Sequence, residues 1–312
     1  MVGLTSTGIV SLGLHLPGDP VGNQNLAMTS GADPAWMEER IGIRSRHRAA
    51  PGDTAADLAV RAARDALEGT TVSPDLLVVA TVTPGRSVPA VACFVQDRLG
   101  LVGIPAFDVN AACSGFLYAL SCAHGMTLAG RVRTPLVIGA DTFTHVVDPT
   151  DRRTAPLFGD AAGAVQLGPV PEGYGVLAVE LWAEGSQAMY ATVPRDDWFV
   201  MDGRGVSTVV MERSPKILQD ALDRAGVRLD QLDRLIVHQA NPRLVRQLAD
   251  RVGLDERTVP VFGAYTGNTA SASVPVTLTL AHRERPFRRG DLVALVAVGA
   301  GMTAGAAVLR WF

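Results

Sequence analysis

The sequence predicts an α/β protein built as two similar halves. Three observations carry that expectation. Apolar runs of strand length alternate with amphipathic helical stretches, short motifs recur in the same order in the second half, and the composition suits a large packed core. Taken along the chain, residues 76–81 (LLVVAT), 135–139 (PLVIG), 235–238 (LIVH) and 292–298 (LVALVAV) read as strands. Continuous Val/Leu/Ile runs of this kind suit strands covered on both faces. Helical spacing marks residues 54–67, 91–99, 115–128, 214–225 and 243–252. Strands alternating with helices argue for an α/β sandwich.

The repeat is explicit in the residues. Asp65-Ala66-Leu67 returns as Asp220-Ala221-Leu222, 155 positions on, and Asp75-x-Leu77-x-Val79 returns as Asp233-x-Leu235-x-Val237, 158 positions on. Asp97-Arg98-Leu99-Gly100-Leu101 returns as Asp250-Arg251-Val252-Gly253-Leu254, 153 positions on. Loop insertions produce drift of this size. Each half therefore reads helix, strand, helix, Asp-Arg-x-Gly-Leu and a small-residue turn. The expected division is 1–170 and 171–312, with a site where equivalent loops meet.

Composition narrows the function. Of 312 residues, 47% are hydrophobic and 19% charged, which excludes a long disordered chain. Lys plus Arg number 28 against 31 Asp plus Glu, a net charge of −3, so no field drives non-specific binding to nucleic acid or anionic lipid. Three cysteines are too few for a disulfide scaffold and point to a reducing cytoplasm. No run approaches the ~20 apolar residues of a membrane span. Residues 1–19 lack a basic n-region and carry Gly, His and Pro where a signal core would sit, so no signal peptide is expected.

After the first Asp-Arg-x-Gly-Leu comes Phe107-Asp108-Val109-Asn110-Ala111-Ala112-Cys113-Ser114-Gly115-Phe116-Leu117, a strand, a turn of small residues and a helix. Such a turn lifts a nucleophile clear of its neighbours, and the following helix start favours a thiolate. A buried structural cysteine is the alternative on this segment alone. Cys93 and Cys122, in apolar helical spacing with no turn around them and no CxxC partner, read as structural. His238 follows the strand LIV and so stands at a strand's C-terminal end, where α/β sites gather, although a packed histidine fits the position equally. His15, His47, His124, His145 and His282 read as surface or helix residues.

After the second Asp-Arg-x-Gly-Leu comes Tyr265-Thr266-Gly267-Asn268-Thr269-Ala270-Ser271-Ala272-Ser273, and Asn268, 155 positions beyond Cys113, is taken as its counterpart. A Cys/His/Asn set is chemically coherent: the imidazole and helix start stabilise a thiolate, and His with Asn can donate to a developing oxyanion. Two glycine-rich stretches carry no cofactor. Gly299-Ala300-Gly301-Met302-Thr303-Ala304-Gly305 is followed only by residues 306–312, too few for a dinucleotide fold, and reads as a turn into a returning strand. Phe158-Gly159-Asp160 lacks the lysine of a phosphate loop and reads as a tight turn entering a strand.

With these motifs in order, the chain resembles the 3-oxoacyl-[acyl-carrier-protein] synthase III (ketosynthase III) family of the thiolase superfamily over nearly its whole length. The carrying residues are Trp36-Met37-Glu38-Glu39-Arg40-Ile41-Gly42-Ile43-Arg44-Ser45-Arg46-His47, the Cys113 elbow, Asp148 to Arg152 with Phe158-Gly159-Asp160, His238-Gln239-Ala240-Asn241, Gly267-Asn268 and the closing glycine turn. The resemblance implies a thiolase-like five-layered αβαβα sandwich of two pseudo-duplicated halves. It implies a homodimer without metal or permanently bound cofactor, taking acyl-CoA and malonyl-acyl carrier protein as thioester substrates. Cys113 would accept the acyl group, and His238 and Asn268 would hold the enolate formed as malonyl loses CO₂. Backbone N–H groups of Cys113 and Ala300 would form the oxyanion hole. Trp36 and Arg152 would flank the adenine of CoA, while Arg40 and Asn241 would contact the pantetheine-phosphate arm. Arg243, Arg246 and Arg251 recur at helical spacing and read either as a patch for the acidic carrier protein or as a solvated helix face.

Three departures stand out. Ala300 occupies the centre of the family's usual glycine triplet, where a positive φ would cost energy. Ser207 stands where many members carry Phe along the pantetheine channel. Val88 stands where some present a larger aromatic to the partner subunit's acyl pocket. Smaller residues at both places point to a primer larger than acetyl and leave fatty acid and polyketide initiation both open. The competing readings are an acyltransferase that passes the acyl group to a hydroxyl or amine without decarboxylation, and a non-catalytic subunit. Asn268 argues against the first and the intact Cys/His/Asn set against the second. Thiolase activity lacks its second catalytic cysteine.

Overall fold

The computed structural model describes residues 6–194 and 197–312. Residues 1–5, where the reading of the N-terminal stretch began, lie outside the described residues. The main elements of the first half are β1 (Ser6–His15), α1 (Ala55–Leu67), β2 (Leu76–Ala80), α2 (Val91–Arg98), β3 (Ala106–Val109), α3 (Gly115–Leu128), β4 (Pro135–Asp141) and β5 (Ala161–Val170). Those of the second are β6 (Gly175–Ala183), α4 (Gly203–Ala225), β7 (Arg234–Val237), α5 (Pro242–Val252), α6 (Ser273–Glu284), β8 (Leu292–Gly299) and β9 (Thr303–Arg310). The first sheet runs β1-β5-β4-β2-β3 and the second β7-β8-β9-β6. In both, the core strands pair in parallel (β2 with β3 and β4, β7 with β8) and the returning strand is antiparallel.

Five layers result. Helices α1 and α2 cover the outer face of the first sheet, α3 and α6 lie between the sheets, and α4 and α5 cover the outer face of the second. The continuous apolar strands follow from this. Leu76, Val78 and Ala80 point into the middle layer against Phe116, Leu120 and Leu278, while Leu77 and Val79 point outward against α1 and α2. In the second sheet Ile236, Val293 and Leu295 face inward, and Leu235, Val237, Ala294 and Val296 face α4 and α5. A strand residue has no wet face here, so polar alternation is lost.

Helix starts follow local chemistry. Thr54 caps α1 in a reciprocal box, its hydroxyl accepting from Asp57 N and the Asp57 carboxylate accepting from Thr54 N at 2.8 Å. Helix α4 begins at Gly203, well before the expected residue 214. Pro215 reads in sequence as a first-turn proline but stands inside the helix. Buried Val209, Val210, Ile217, Leu218, Ala221 and Leu222 hold both sides of the proline on the second sheet, and tertiary packing outweighs the lost hydrogen bond. No helix among the described residues is long and apolar enough to cross a membrane.

The repeat register differs from the expected one at the functional turns. Among the described residues Ala112 and Ala270 are the two non-glycines with positive φ, 48° and 47°, each opening a one-turn 3-10 helix that runs into α3 or α6. Asn110 Oδ1 accepts from Ala112 N at 3.3 Å, and Asn268 Oδ1 accepts from Ala270 N at 2.9 Å. The two turns thus superpose residue for residue, and Asn268 is the counterpart of Asn110, not of Cys113. The residue matching Cys113 is Ser271. The drift among the sequence motifs hid this, because the offset at Asp75 and Asp233 is the one that holds at the turns.

Candidate active site

Cys113 sits in the middle of the 3-10 turn between β3 and α3. Its backbone is held from the second half: Thr303 Oγ1 donates to Ala111 O at 3.0 Å and lies 2.8 Å from Ser114 Oγ. Gly299 is required by contact, since a Cβ there would stand 2.6 Å from Cys113 N. The left-handed residue of the closing turn is Gly301, with φ 127°, and Ala300 is not among the residues with positive φ. The strain expected at Ala300 is therefore absent, and alanine keeps its backbone donor at the cavity wall.

Asn268 is clamped from the first half. Its N–H donates to Leu157 O at 2.8 Å, and its carbonyl accepts from Gly159 N at 3.0 Å. A Cβ at Gly159 would lie 2.4 Å from Thr266 O, so the Phe158-Gly159-Asp160 turn has to carry glycine. Asp160 fixes that turn, accepting from Ala49 N, Thr144 N and Thr144 Oγ1. Because Oδ1 of Asn268 is taken by Ala270 N, the side chain's amide N–H₂ is the end left to face a ligand.

His238 follows β7, its N–H donating to Val296 O at 2.8 Å. The side chain is buried, Nδ1 has no hydrogen-bond partner, and burial pushes its pKa down to about 4. The imidazole is neutral near pH 7 and can donate or accept without carrying charge. Cys113 is partly buried and faces a cavity with largely apolar walls. Loss of bulk water pushes its thiol up to about 12. The expectation of a resting thiolate is thereby corrected: desolvation outweighs the helix start. Alkylation of Cys113 by iodoacetamide, read by peptide mass so that Cys93 and Cys122 are scored apart, is expected to climb about tenfold per pH unit with no plateau between about pH 6 and 9. A plateau below about pH 8 would contradict the protonated resting thiol.

Cys113, His238, Asn268 and Ala300 line one cavity of ≈ 530 Å³ between the halves. Phe143, Phe158 and Phe199 form its apolar wall, with ring centroids 4.3–5.3 Å apart. Ser207 and Asn241 line the same cavity. Asn241 also caps α5, its Oδ1 accepting from Leu244 N at 2.8 Å. Trp36 and Arg152 line a separate cleft with Asp33 and Arg153. Arg40 is exposed on the turn Met37–Ile41, whose closing Gly42 packs on Pro242 beside Asn241. Arg243, Arg246 and Arg251 are exposed along α5, and Arg246 is paired with Glu256.

One further expectation, that of two packed cysteines, is corrected. Cys93 and Cys122 are exposed, not packed, because each falls on the outer stripe of its helix. Val88 is 79% exposed and lies outside this chain's cavity. None of the other five histidines lines the cavity. Sequence reading missed Phe143, Phe199, Thr303, Ser271 and Asp141. Asp141, an acid closing an apolar strand, was the one with a signal in sequence.

Comparison with known proteins places this geometry. Residues 107–185 match the profile 3-oxoacyl-[acyl-carrier-protein] synthase III, and residues 222–311 match its C-terminal profile. The chain is 41% identical to beta-ketoacyl-[acyl-carrier-protein] synthase III 3 of Streptomyces coelicolor, covering 97% of this chain and 96% of that one. It matches the crystal structure of 3-oxoacyl-[acyl-carrier-protein] synthase III from Aquifex aeolicus with a TM-score of 0.95 and 36% identity, covering 98% and 100%. It matches the priming beta-ketosynthase of the R1128 polyketide pathway with a TM-score of 0.92 and 31% identity, covering 98% and 96%.

Proposed function

The chain belongs to the 3-oxoacyl-[acyl-carrier-protein] synthase III family, and from that premise we propose how its own residues carry out the condensation of an acyl-CoA with malonyl-acyl carrier protein. The observation that carries the proposal is the single cavity shared by Cys113, His238 and Asn268, with the Asn268 amide turned donor-first.

In the first half-reaction the Cys113 sulfur bonds to the acyl carbonyl carbon as its proton passes to His238. The C–S bond to CoA then breaks, and the CoA thiolate leaves with that proton. A neutral thiol beside a neutral imidazole suits this order, since charge forms only when the thioester is bound. In the second, the malonyl C–C bond breaks to release CO₂, and the enolate oxygen takes hydrogen bonds from His238 and Asn268 Nδ2. The enolate carbon attacks the acyl carbonyl, the backbone N–H groups of Cys113 and Ala300 hold the oxyanion, and collapse breaks the C–S bond to Cys113, whose sulfur takes a proton from solvent. Beyond the two thioester substrates the reaction consumes one proton.

The finer assignments rest on the same premise. Trp36 and Arg152 share a cleft suited to an adenine, with Arg40 and Asn241 toward the pantetheine arm. Arg243 and Arg251, which enter no ion pair among the described residues, present their charge to the carrier protein. The halves 1–170 and 171–312 supply nucleophile and enolate donors respectively. Val88 is exposed where it would reach a second copy's acyl pocket, so the working form is a homodimer, acting in the cytoplasm on a primer larger than acetyl.

Incubation with acyl-CoA thioesters of graded length should place the acyl mass on Cys113, and addition of malonyl-acyl carrier protein should release CO₂ with 3-oxoacyl product. Acylation without CO₂ release would replace this reading with transfer to a hydroxyl or amine.

A further inference from the structure

We propose that Asp141 is a positioning residue that works as a neutral carboxylic acid, sharing its proton with Ser271 and so tying the two catalytic turns to one another. The inference rests on the reading above, in which those turns hold the reacting groups.

Asp141 closes β4 and is wholly buried. Its Oδ1 accepts from Thr81 Oγ1 at 3.0 Å, Val82 N at 2.8 Å, Thr83 N at 3.1 Å and Thr83 Oγ1 at 2.8 Å. Its Oδ2 accepts from Ser271 N at 2.9 Å and lies 2.5 Å from Ser271 Oγ. None of the ion pairs among the described residues includes it. The groups facing it are thus hydroxyls and amides, with Cys113 the one titratable neighbour that couples to its charge.

Counting hydrogens decides the protonation state. Ser271 Oγ touches two oxygens, Asp141 Oδ2 at 2.5 Å and Ala80 O at 2.8 Å, and has one hydrogen to give. A carbonyl oxygen can only accept, so the serine hydrogen belongs to Ala80. The short contact to Oδ2 then needs a hydrogen of its own, and only a protonated carboxyl supplies it. The chain Oδ2–H to Oγ–H to O=C satisfies every atom, whereas an ionised Asp141 leaves one pair of oxygens in contact with nothing between them. Burial without a cation pushes the carboxyl in the same direction.

The position explains the use. Ser271 is the second-half counterpart of Cys113 and lies three residues from Asn268, while Val82, held by Oδ1, lines the cavity beside Cys113. One side chain therefore fixes a cavity wall in the first half and the Asn268 turn in the second. Keeping it neutral also spares Cys113 a neighbouring negative charge that would push its thiol further up.

The test is infrared difference spectroscopy of the full-length protein near neutral pH, wild type minus Asp141→Asn. A carboxylic-acid C=O band that shifts in D₂O is expected in the wild type and should vanish in D141N. The carboxamide keeps Oδ1 as acceptor and supplies a donor toward Ser271 Oγ but offers no acceptor to Ser271 N, so D141N should lose less kcat than D141A does, with the pH profile of Cys113 alkylation unchanged. Asp141→Ala should lower kcat more than about tenfold with KM for acyl-CoA nearly unchanged. A carboxylate band in place of the acid band, an alkylation profile moved to lower pH in D141N, or a D141N loss as deep as that of D141A would each overturn the proposal. Should D141A fail to fold, the infrared band and D141N still decide. If no acyl group ever reaches Cys113, the functional reading falls while the band still judges Asp141.

Discussion

Cys113→Ala is expected to accept no acyl group from acyl-CoA and to lower condensation by roughly 10³-fold or more, because no other thiol lines the cavity among the described residues. Cys93 and Cys122 are exposed elsewhere and cannot substitute. Folding should survive, since the thiol makes no hydrogen bond that orders the turn. The elbow is held by Asn110, Ser114 and Thr303 through backbone atoms. The informative measurement is CO₂. Decarboxylation draws on His238 and Asn268 alone, so C113A should still release CO₂ from malonyl-acyl carrier protein, uncoupled from any 3-oxoacyl product. A variant that still takes the acyl mass would remove the nucleophile assignment. One that neither takes the acyl group nor releases CO₂ would mean that the turn itself had moved.

Much of this architecture is legible in the residues because burial on both faces writes itself as unbroken apolar runs. The runs at 76–81, 135–139, 235–238 and 292–298 are strands of the two sheets to within about two residues. The edge and returning strands are harder. β1 and β5 are interrupted by Gly, Ser, Gln and Pro residues and neither alternate nor run apolar throughout, so little local sets them apart from loops. The start of α4 was hidden by Pro215, which obeys a helix-start rule at a position where packing overrides it.

At the site the chemistry of single residues was readable and their register was not. Cys113, His238 and Asn268 do share a cavity, yet the counterpart of Cys113 is Ser271. Sequence offsets count residues along loops, whereas the match is set by backbone: a positive-φ alanine followed by one 3-10 turn in each half. Thiol basicity was misread for a related reason. A helix start is visible in sequence, but the desolvation that opposes it depends on Phe143 and Phe199, whose approach to the cavity no local pattern announces.

The register also shapes the expectation for Asn268. Asn268→Ala removes two things at once, the Nδ2 donor to the enolate and the Oδ1 acceptor that holds Ala270 N at 2.9 Å in a strained turn. Loss of one preorganised oxyanion donor lowers kcat by roughly 10²–10³-fold. Loss of the acceptor would loosen Ser271 and, through Asp141, the wall beside Cys113. Asn268→Asp separates the two, because a carboxylate keeps the acceptor and deletes the donor. If the donor is what matters, N268D should lose at least as much condensation as N268A, with thermal stability near wild type and acylation of Cys113 within about threefold. The carboxylate also repels the enolate it faces, which deepens the loss. If N268D instead restored condensation toward wild type, the residue would be a turn cap only, and the enolate would have to rest on His238 alone.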